Sequence, residues 1–329
     1  MRSPKRTDLA RKACAALAAL LVALAAAVGP ARAADRITIT NYGINLATLP
    51  WAVALDRGLF KKNGVDIDGF VGSSGGGSAI RNMMASPIPF AEVSVPAAVA
   101  ALQNGIDIKI VYVALNHLGD LSWLVLKDSP VKTIADLRGR TVAFTSPQSV
   151  TEMALRMVLA AHHLTNDVTV IPAGSIEAAH VALDQGAVAA APVEVPAFLV
   201  PPDKYRAVFR LSEELPTIVT QVGVVTSGYA KAHPDVVRRL VAVHRDAVAY
   251  MNEHPDEAAK VYATVWNTDK PVAAVLRRLI RSNYWSTGSI DGAGLQVMLR
   301  GMQLVGALQR PVDLGPATDR EFLPADLQR

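Results

Sequence analysis

Cysteine is almost absent from this sequence. The 329 residues include one cysteine, Cys14, and it lies within the first 33 residues. The rest of the chain therefore offers no disulfide, no thiol nucleophile and no cysteine metal ligand. A protein of this size can fold without disulfides, because a chain of about 300 residues buries a large hydrophobic core.

The first 33 residues are expected to be a cleaved signal peptide. A positively charged start is followed by an apolar run over 13–28 and by Ala31-Arg32-Ala33, an A-x-A cleavage signature. The run is shorter than the ~20 residues that a membrane-spanning helix needs, and no later run is long enough. The sequence therefore predicts a soluble protein exported to the periplasm.

Basic character disappears once this leader is removed. The whole sequence has 33 Lys and Arg against 29 Asp and Glu, and the leader holds six of these cations and one of the acids. The remaining 27 cations and 28 acids give a formal net charge of −1. Nothing in this balance indicates nucleic acid or an anionic membrane surface as a partner.

Cofactor motifs are missing as well. The glycines of 71–80 (VGSSGGGSAI) are not followed by the GK[ST] of a Walker loop, and no G-x-G-x-x-G fingerprint is present. There is no HExxH, and the histidines are scattered. The sequence therefore predicts neither a cofactor nor a metal site.

Strand-like and helix-like segments alternate through the first two thirds of the chain, which predicts an α/β fold built from βαβ units with mostly parallel sheets. The expected strands are 37–42, 65–71, 88–95, 108–114, 121–126, 141–145 and 168–173, with a further extended run over 216–226. The pattern restarts near residue 121, which predicts two lobes with a ligand cleft between them. From Lys231 onward the sequence predicts mostly helix, with His233, His244 and His254 in packing or capping positions.

The glycine segment 71–80 has two interpretations. Gly72-Ser73-Ser74-Gly75-Gly76 fits the G-x-S-x-G elbow of a serine hydrolase, with Ser74 as nucleophile. The same glycines and hydroxyls, placed before a helix, also form a cradle for an anion. The hydrolase interpretation lacks an HGGG-type oxyanion loop and a His positioned to act as base, so the cradle is favoured.

A second serine-bearing loop follows the strand 141–145. Ser149 and Glu152 fit the S-x-x-E capping box, so Ser149 is either an ordinary helix cap or a ligand contact. Two such loops, one in each predicted lobe, favour a shared binding cleft. Trp51 and Trp123 are each open to core packing or to stacking on an aromatic solute.

Several segments resemble the periplasmic substrate-binding proteins of ABC importers, in the nitrate, sulfonate, taurine and thiamine-precursor branch. They are LPWAVALDRGLFKKNGVDI, VPAAVAALQNGIDIKIV, HPDVVRRLVAVHRDAVAYMNEHPDEAA, GLQVMLRGMQLVGAL and, most specifically, KDSPVKTIADLRGRTVAF with its D-L-[KR]-G-[KR] turn. They run in order through most of the chain after the leader.

The resemblance implies a two-lobed type II binding-protein fold, with lobe one over 35–122 plus 222–329 and lobe two over 123–221. It implies a monomeric, non-enzymatic receptor that binds a small organic anion or zwitterion, sulfonate- or taurine-like, in the cleft between the lobes and delivers it to an ABC permease. The ligand contacts that it implies are Thr48, Ser73, Ser74, Gly75, Gly76, Gly77, Glu92, Ser94, Asn116, Ser146, Ser149 and Glu194. His117 is interpreted as either a ligand contact or a hinge residue.

Two carboxylates in that set bear on the ligand. If Glu92 and Glu194 both face the cleft, a plain anion would leave them unpaired, and burying an unpaired charge is costly. A zwitterion such as an amino-sulfonate would match both the helix starts and a carboxylate. Pyrimidine-precursor synthases share the fold, but their cysteine and iron chemistry does not suit a chain without cysteine after its leader.

Overall fold

The structure, a computed structural model, describes most of the chain beyond the expected leader. The described ranges are 35–43, 46–73, 76–119, 121–147, 149–193, 201–215, 217–269 and 272–328. Within them, no helix combines the length and the apolar character that a membrane span requires.

Strands alternate with helices across these ranges, as the sequence predicts. The strands are β1 (Asp35–Thr40), β2 (Ile67–Ser73), β3 (Phe90–Ser94), β4 (Ile108–Leu115), β5 (Ser122–Leu126), β6 (Thr141–Phe144), β7 (Thr169–Pro172), β8 (Ala191–Val193), β9 (Tyr205–Arg210), β10 (Gln221–Thr226) and β11 (Trp285–Gly288). The helices are α1 (Leu49–Asp56), α2 (Leu59–Lys62), α3 (Gly76–Met84), α4 (Val95–Gln103), α5 (Val150–Ala161), α6 (Ile176–Asp184), α7 (Leu211–Glu214), α8 (Ser227–Ala232), α9 (Pro234–Glu253), α10 (Pro255–Val265), α11 (Ala273–Arg281) and α12 (Gly292–Leu304).

Lobe one is built on a six-stranded mixed sheet in the order β11-β4-β10-β3-β1-β2. Strand β1 pairs in parallel with β2 and β3, whereas β10 lies antiparallel between β3 and β4. Strands β1 to β4 therefore all point the same way. Their carboxyl ends share one edge of the sheet, and β10 begins at that same edge.

Helix α1 shows how the local sequence shapes this lobe. Pro50 lies in its first turn, where the missing N–H costs nothing. The sequence favours one long helix through Lys62, but Gly58 adopts a left-handed conformation with φ of 65°. This residue separates α1 from the short helix α2. The first six residues of α1 are all buried, and the helix packs against α9 in the core.

Lobe two contains a three-stranded antiparallel sheet, β8-β5-β9, and a parallel pair, β6-β7. A parallel bridge between Val142 and Ala190 joins the two sets. Helices α5 and α6 follow β6 and β7, so each strand of the parallel pair leads into a helix at the same edge. This is the second βαβ-like unit that the sequence predicts.

The sheets are less parallel than predicted. Among the strand pairings of the described residues, three are parallel and five are antiparallel. Strands β8, β9 and β11 are not predicted by the sequence analysis, and β11 interrupts a region expected to be mostly helix. β8 and β11 have three and four residues, too short to show a period-two pattern.

The described chain connects the lobes between β4 and β5 and between α7 and β10; residues 120 and 216 in these connections lie outside the described ranges. These passages lie close to the predicted lobe boundaries at 122/123 and 221/222, whose placement to the residue stays a prediction. Helix α12 packs across onto lobe two: a Cβ at Gly301 would lie 2.6 Å from Cγ of Met153 in α5. The last helix of lobe one therefore contacts the first helix of lobe two directly.

Candidate functional site

The carboxyl-end edge of the six-stranded sheet brings several predicted contacts together. Thr40 of β1 pairs with Ser73 of β2, and Gln221 of β10 pairs with Ser94 of β3. Gln221 also pairs with Leu115, so Asn116 and His117 begin at the same edge. In open α/β sheets this edge is where ligands bind.

The glycine segment leads from this edge into a helix. Ser73 ends β2, its carbonyl accepts a hydrogen bond from the Asn41 amide at 2.8 Å, and Gly76 and Gly77 open α3. The first amides of a helix lack partners within it and favour anions. Ser74 and Gly75 lie outside the described residues, and the elbow and cradle interpretations stay predictions.

Thr48 and Ser94 both stand at helix starts. Thr48 is fully buried and immediately precedes α1. Ser94 caps α4, where its hydroxyl accepts a hydrogen bond from the Ala97 amide at 3.4 Å. Ser94 therefore supports its helix start, whereas Thr48 precedes α1 without a side-chain capping hydrogen bond.

Glu92 lies in the core rather than on the cleft surface that the sequence analysis expects. Its side chain is 1% exposed, and its Oε2 accepts hydrogen bonds from Trp51 Nε1 and the Tyr112 hydroxyl, each at 2.8 Å. His244 Nε2 lies 3.8 Å from the same oxygen. The cause is its place inside a strand that is covered on both faces: Phe90 to Val93 are all buried, and Glu92 lies beside the buried Ile39, its register partner on β1.

Burial controls the protonation of this cluster. Desolvation raises the pKa of Glu92 to about 7, although the hydrogen bonds from Trp51 and Tyr112 oppose the shift. Desolvation also lowers the pKa of His244 to about 3. Near neutral pH the histidine is therefore uncharged, and the carboxyl group is near its titration midpoint.

Gly223 makes room for this cluster. It is the register partner of both Glu92 and Tyr112, and the Tyr112 ring lies directly over it. A Cβ at Gly223 would lie 1.6 Å from Cε1 of that ring. Glycine is therefore required here for close approach, and Tyr112 reaches Glu92 across it.

Asn116 joins the two passages between the lobes. Its amide donates to the Tyr284 carbonyl, its Nδ2 donates to the Asn283 carbonyl at 2.9 Å, and its own carbonyl accepts from the Ile218 amide. His117 Nε2 lies 2.8 Å from the Ser282 carbonyl. These contacts tie both residues to the segment that leads into β11, and the hinge interpretation of His117 stays a prediction.

His117 is held in one orientation. Its ring meets Tyr284 edge-on, and a Cβ at Gly119 would lie 2.4 Å from its Cε1. Burial lowers the pKa of His117. Because Nε2 donates to a carbonyl, Nδ1 is an acceptor, and it is buried without a hydrogen-bond partner. A ligand contact therefore stays open beside the hinge role.

In lobe two, three hydroxyls converge at the start of α5. Ser149 caps the Glu152 amide at 3.2 Å, as the capping-box motif predicts. Thr151 Oγ1 lies 2.7 Å from Thr145 Oγ1 and 2.9 Å from Ser149 Oγ, and it accepts from the Thr145 amide. Ser146 is exposed in the same loop. Sequence reasoning missed Thr145 and Thr151, although Thr145 is the last residue of a predicted strand.

The two tryptophans that were open to ligand stacking lie in the core. Trp51 and Trp123 are fully buried; Trp123 stacks on Phe209 and donates to the Ala143 carbonyl. Both tryptophans are therefore core residues. Glu194 lies outside the described residues. Within the described ranges, no group of three or more His, Cys, Asp or Glu is placed to hold a metal ion.

A cavity of about 680 Å³ lies elsewhere in lobe two. It is lined by residues before β6 and β9, including Arg140 and Lys204, and so lies at the opposite edge from Ser146 and Ser149. It does not coincide with the carboxyl-end edge of β6. The geometry of the strands, rather than this cavity, identifies the candidate site.

The chain is similar in sequence to a known protein family and to a binding protein. The family described as NMT1/THI5 like matches residues 45–258. A putative aliphatic sulfonates-binding protein from Bacillus subtilis (strain 168) is 26% identical over 235 residues, 70% of each chain.

Solved structures share the fold. The periplasmic aliphatic sulphonate binding protein SsuA from Escherichia coli aligns with a TM-score of 0.66 at 19% identity, over 83% of this chain and 85% of its own. The desulfurization enzyme DSZB aligns at 0.61 and 19% identity, over 88% of this chain and 97% of its own. The two-lobed α/β fold is therefore shared by a binding protein and an enzyme.

Proposed function

Because the chain belongs to the NMT1/THI5-like family, we propose that it is the solute receptor of an ABC importer. In this proposal it binds a small organosulfonate anion in the cleft between its lobes and delivers it to a membrane permease. The descriptions of the B. subtilis and E. coli proteins as binders of aliphatic sulfonates support this ligand class.

The observation that carries the proposal is the chemistry of the edge described above. Its described candidate contacts are hydroxyls, a side-chain amide, a histidine and the first residues of α3, α4 and α5. Such N–H and O–H donors suit the oxygens of a sulfonate without requiring a buried cation. Glu92 is the acid among these described contacts, and its side chain is buried in the core instead of facing the cleft.

This placement favours a plain anion over a zwitterion. The amino-sulfonate hypothesis needs a carboxylate that faces the ligand, and Glu92 is bonded to Trp51 and Tyr112 in the core. A ligand ammonium group would then depend on Glu194 alone. We therefore place alkanesulfonates before taurine, and both before nitrate, which offers no organic tail to the cleft.

We propose a binding role without turnover. A serine hydrolase needs a histidine beside its nucleophile. The described histidine–carboxylate contacts are His162 with Glu214, His244 with Glu92 and His254 with Glu253. Of these, His244 is buried beside Glu92, and the other two lie at helix ends.

Thermal unfolding against a panel of ethanesulfonate, taurine, nitrate and acetate tests the receptor proposal. A ligand at 100 times its Kd stabilises by ~2.7 kcal/mol, so ethanesulfonate should raise Tm by about 5 °C. Ser149→Ala, which removes a hydroxyl from the site, should weaken ethanesulfonate binding about tenfold.

The matched control is Ser129→Ala, because Ser129 also bonds a backbone amide but lies near the opposite edge of lobe two. A panel without any shift would overturn the receptor proposal. A shift with taurine alone would instead favour the zwitterion, and ester hydrolysis that is lost in Ser74→Ala would favour the hydrolase.

Periplasmic location and a permease partner are part of the same proposal. They are supported by the E. coli relative, whose description is periplasmic. Cleavage after Ala33 stays a prediction that N-terminal sequencing of the exported protein checks. Delivery to a permease predicts that deletion of this chain abolishes uptake of the labelled sulfonate, and undiminished uptake would contradict it.

A further inference from the structure

Glu92 is a buried ionisable group that the proposed binding contacts do not use. Four elements surround it: α1 contributes Trp51, β4 contributes Tyr112, β10 contributes Gly223 and α9 contributes His244. Its Oε2 receives both hydrogen bonds, whereas its Oε1 is buried without a partner.

Glu92 is the group in this cluster that changes charge near neutral pH. Burial keeps His244 neutral by lowering its pKa to about 3. Burial, together with the charge of Glu92, raises the pKa of Tyr112 well above its ordinary value. The Trp51 indole does not ionise in this range. A change of pH from 5.5 to 8.5 therefore alters the charge of the carboxyl group and leaves its neighbours neutral.

Protonation changes the charge with little change in geometry. Oε2 accepts hydrogen bonds from Trp51 and Tyr112 whether or not the carboxyl group is ionised, and the partnerless Oε1 is free to carry the proton. Glutamine at this position would keep the accepting oxygen and remove the charge. Glu92→Gln therefore mimics the protonated form.

Glu92 lies near the carboxyl-end edge of the sheet, where the candidate site is. Glu92 precedes Ser94, at the carboxyl end of β3, by two residues, which is roughly 7 Å along a strand. Its partner Trp51 is in the first turn of α1, three residues after Thr48. A negative charge here, about 10 Å from a bound anion, weakens binding about tenfold at an effective dielectric of about 20.

We propose that Glu92 is a proton-responsive residue near the candidate site: its neutral form permits tight anion binding, and its ionised form weakens it. This rests on the proposed function, since it requires an anion in the cleft. The coupling is reciprocal, so a bound anion must also favour the protonated carboxyl group.

The test measures the Kd of ethanesulfonate by calorimetry at pH 5.5 and pH 8.5. In the unmodified protein the Kd should rise about tenfold with pH. In Glu92→Gln it should stay near the low-pH value at both pH values. Glu321→Gln, an exposed carboxylate, serves as the control and should behave like the unmodified protein.

A second measurement follows the Trp51 indole N–H resonance in the ligand-free protein, with Trp51→Phe used for assignment. Its titration midpoint should lie near pH 7 and should move upward when ethanesulfonate is added. This readout remains decisive even if Glu92→Gln fails to fold.

The outcomes separate two failures. If ethanesulfonate binds with a Kd that does not depend on pH, the role of Glu92 alone is overturned. The same holds if the pH dependence persists in Glu92→Gln, because it then belongs to another group such as His117. Absence of binding at both pH values, with Trp51 still titrating, overturns the proposed function and this inference with it.

Discussion

The two lobes hold their candidate binding loops in different ways. In lobe one, buried indoles reach across the fold: Trp51 bonds Glu92, and Trp285 Nε1 bonds the Ala47 carbonyl at 3.1 Å. In lobe two, the β6–α5 loop is held by its own hydroxyls, Thr145, Ser149 and Thr151. Changes to lobe one should therefore disturb the core, whereas changes to lobe two should stay local.

The largest expected effect comes from Gly223→Ala. The added Cβ would lie 1.6 Å from the Tyr112 ring, so the ring must leave its place and lose its bond to Glu92. Overpacking together with a lost buried hydrogen bond should cost about 3–5 kcal/mol. Urea unfolding followed by circular dichroism measures this cost.

The control for this change is Gly228→Ala, because Gly228 is exposed in α8 and a Cβ there meets nothing within 4 Å. Its unfolding free energy should change by less than about 1 kcal/mol. If Gly223→Ala proves equally mild, the core of lobe one adapts more easily than its contacts imply, and the contrast between the lobes disappears.

The second effect is the pH dependence of stability. The pKa of Glu92 is raised from 4.5 to about 7 in the folded state. The stabilising contribution of its protonated form to the free energy of unfolding is therefore complete below pH 4.5 and is lost as pH rises through 7. Relative to Glu92→Gln, the unmodified protein should lose about 3 kcal/mol across this range. Urea unfolding of both proteins at several pH values gives the difference.

His244 changes the free energy of unfolding in the opposite direction. Its pKa is lowered in the folded state, so the stabilising contribution of its neutral form is lost as pH falls. It is present in both proteins and cancels in their difference. A difference between the two proteins that does not change with pH would show that Glu92 is ionised alike in the folded and unfolded chains.

The smallest effect is expected from Thr151→Val in lobe two. The substitution keeps the shape of the side chain but leaves the Thr145 amide without its acceptor, at a cost of about 1–2 kcal/mol. Hydrogen exchange should quicken at Thr145 and leave lobe one unchanged. Thr264→Val, on an exposed helix face, is the control. If hydrogen exchange in Thr151→Val became faster throughout both lobes, the effect of this loop would not be local.

Local signals in the sequence predicted a large part of the fold. The cap at Ser149 is confirmed because its partner, the Glu152 amide, is three residues away. The alternation of strands and helices from β1 to α6 is confirmed for the same reason, since each element has its own apolar pattern. The candidate edge follows from that alternation.

Long-range pairings were not predictable in this way. Glu92 reads as a cleft residue because its partners Trp51 and Tyr112 lie 41 and 20 residues away in the chain. Likewise, the antiparallel insertion of β10 depends on a chain segment more than 100 residues beyond β4. Patterns within a short window carry no information about either contact.

The position of β10 has a consequence for the order of folding. Because β10 lies between β3 and β4, a nascent chain that ends before residue 221 leaves a gap in the middle of its largest sheet. The strands of lobe two, by contrast, all lie within residues 122–210 and precede β10 in synthesis. Lobe two is therefore the part that can assemble early, while lobe one must wait for the last third of the chain. Contacts between such distant segments form slowly.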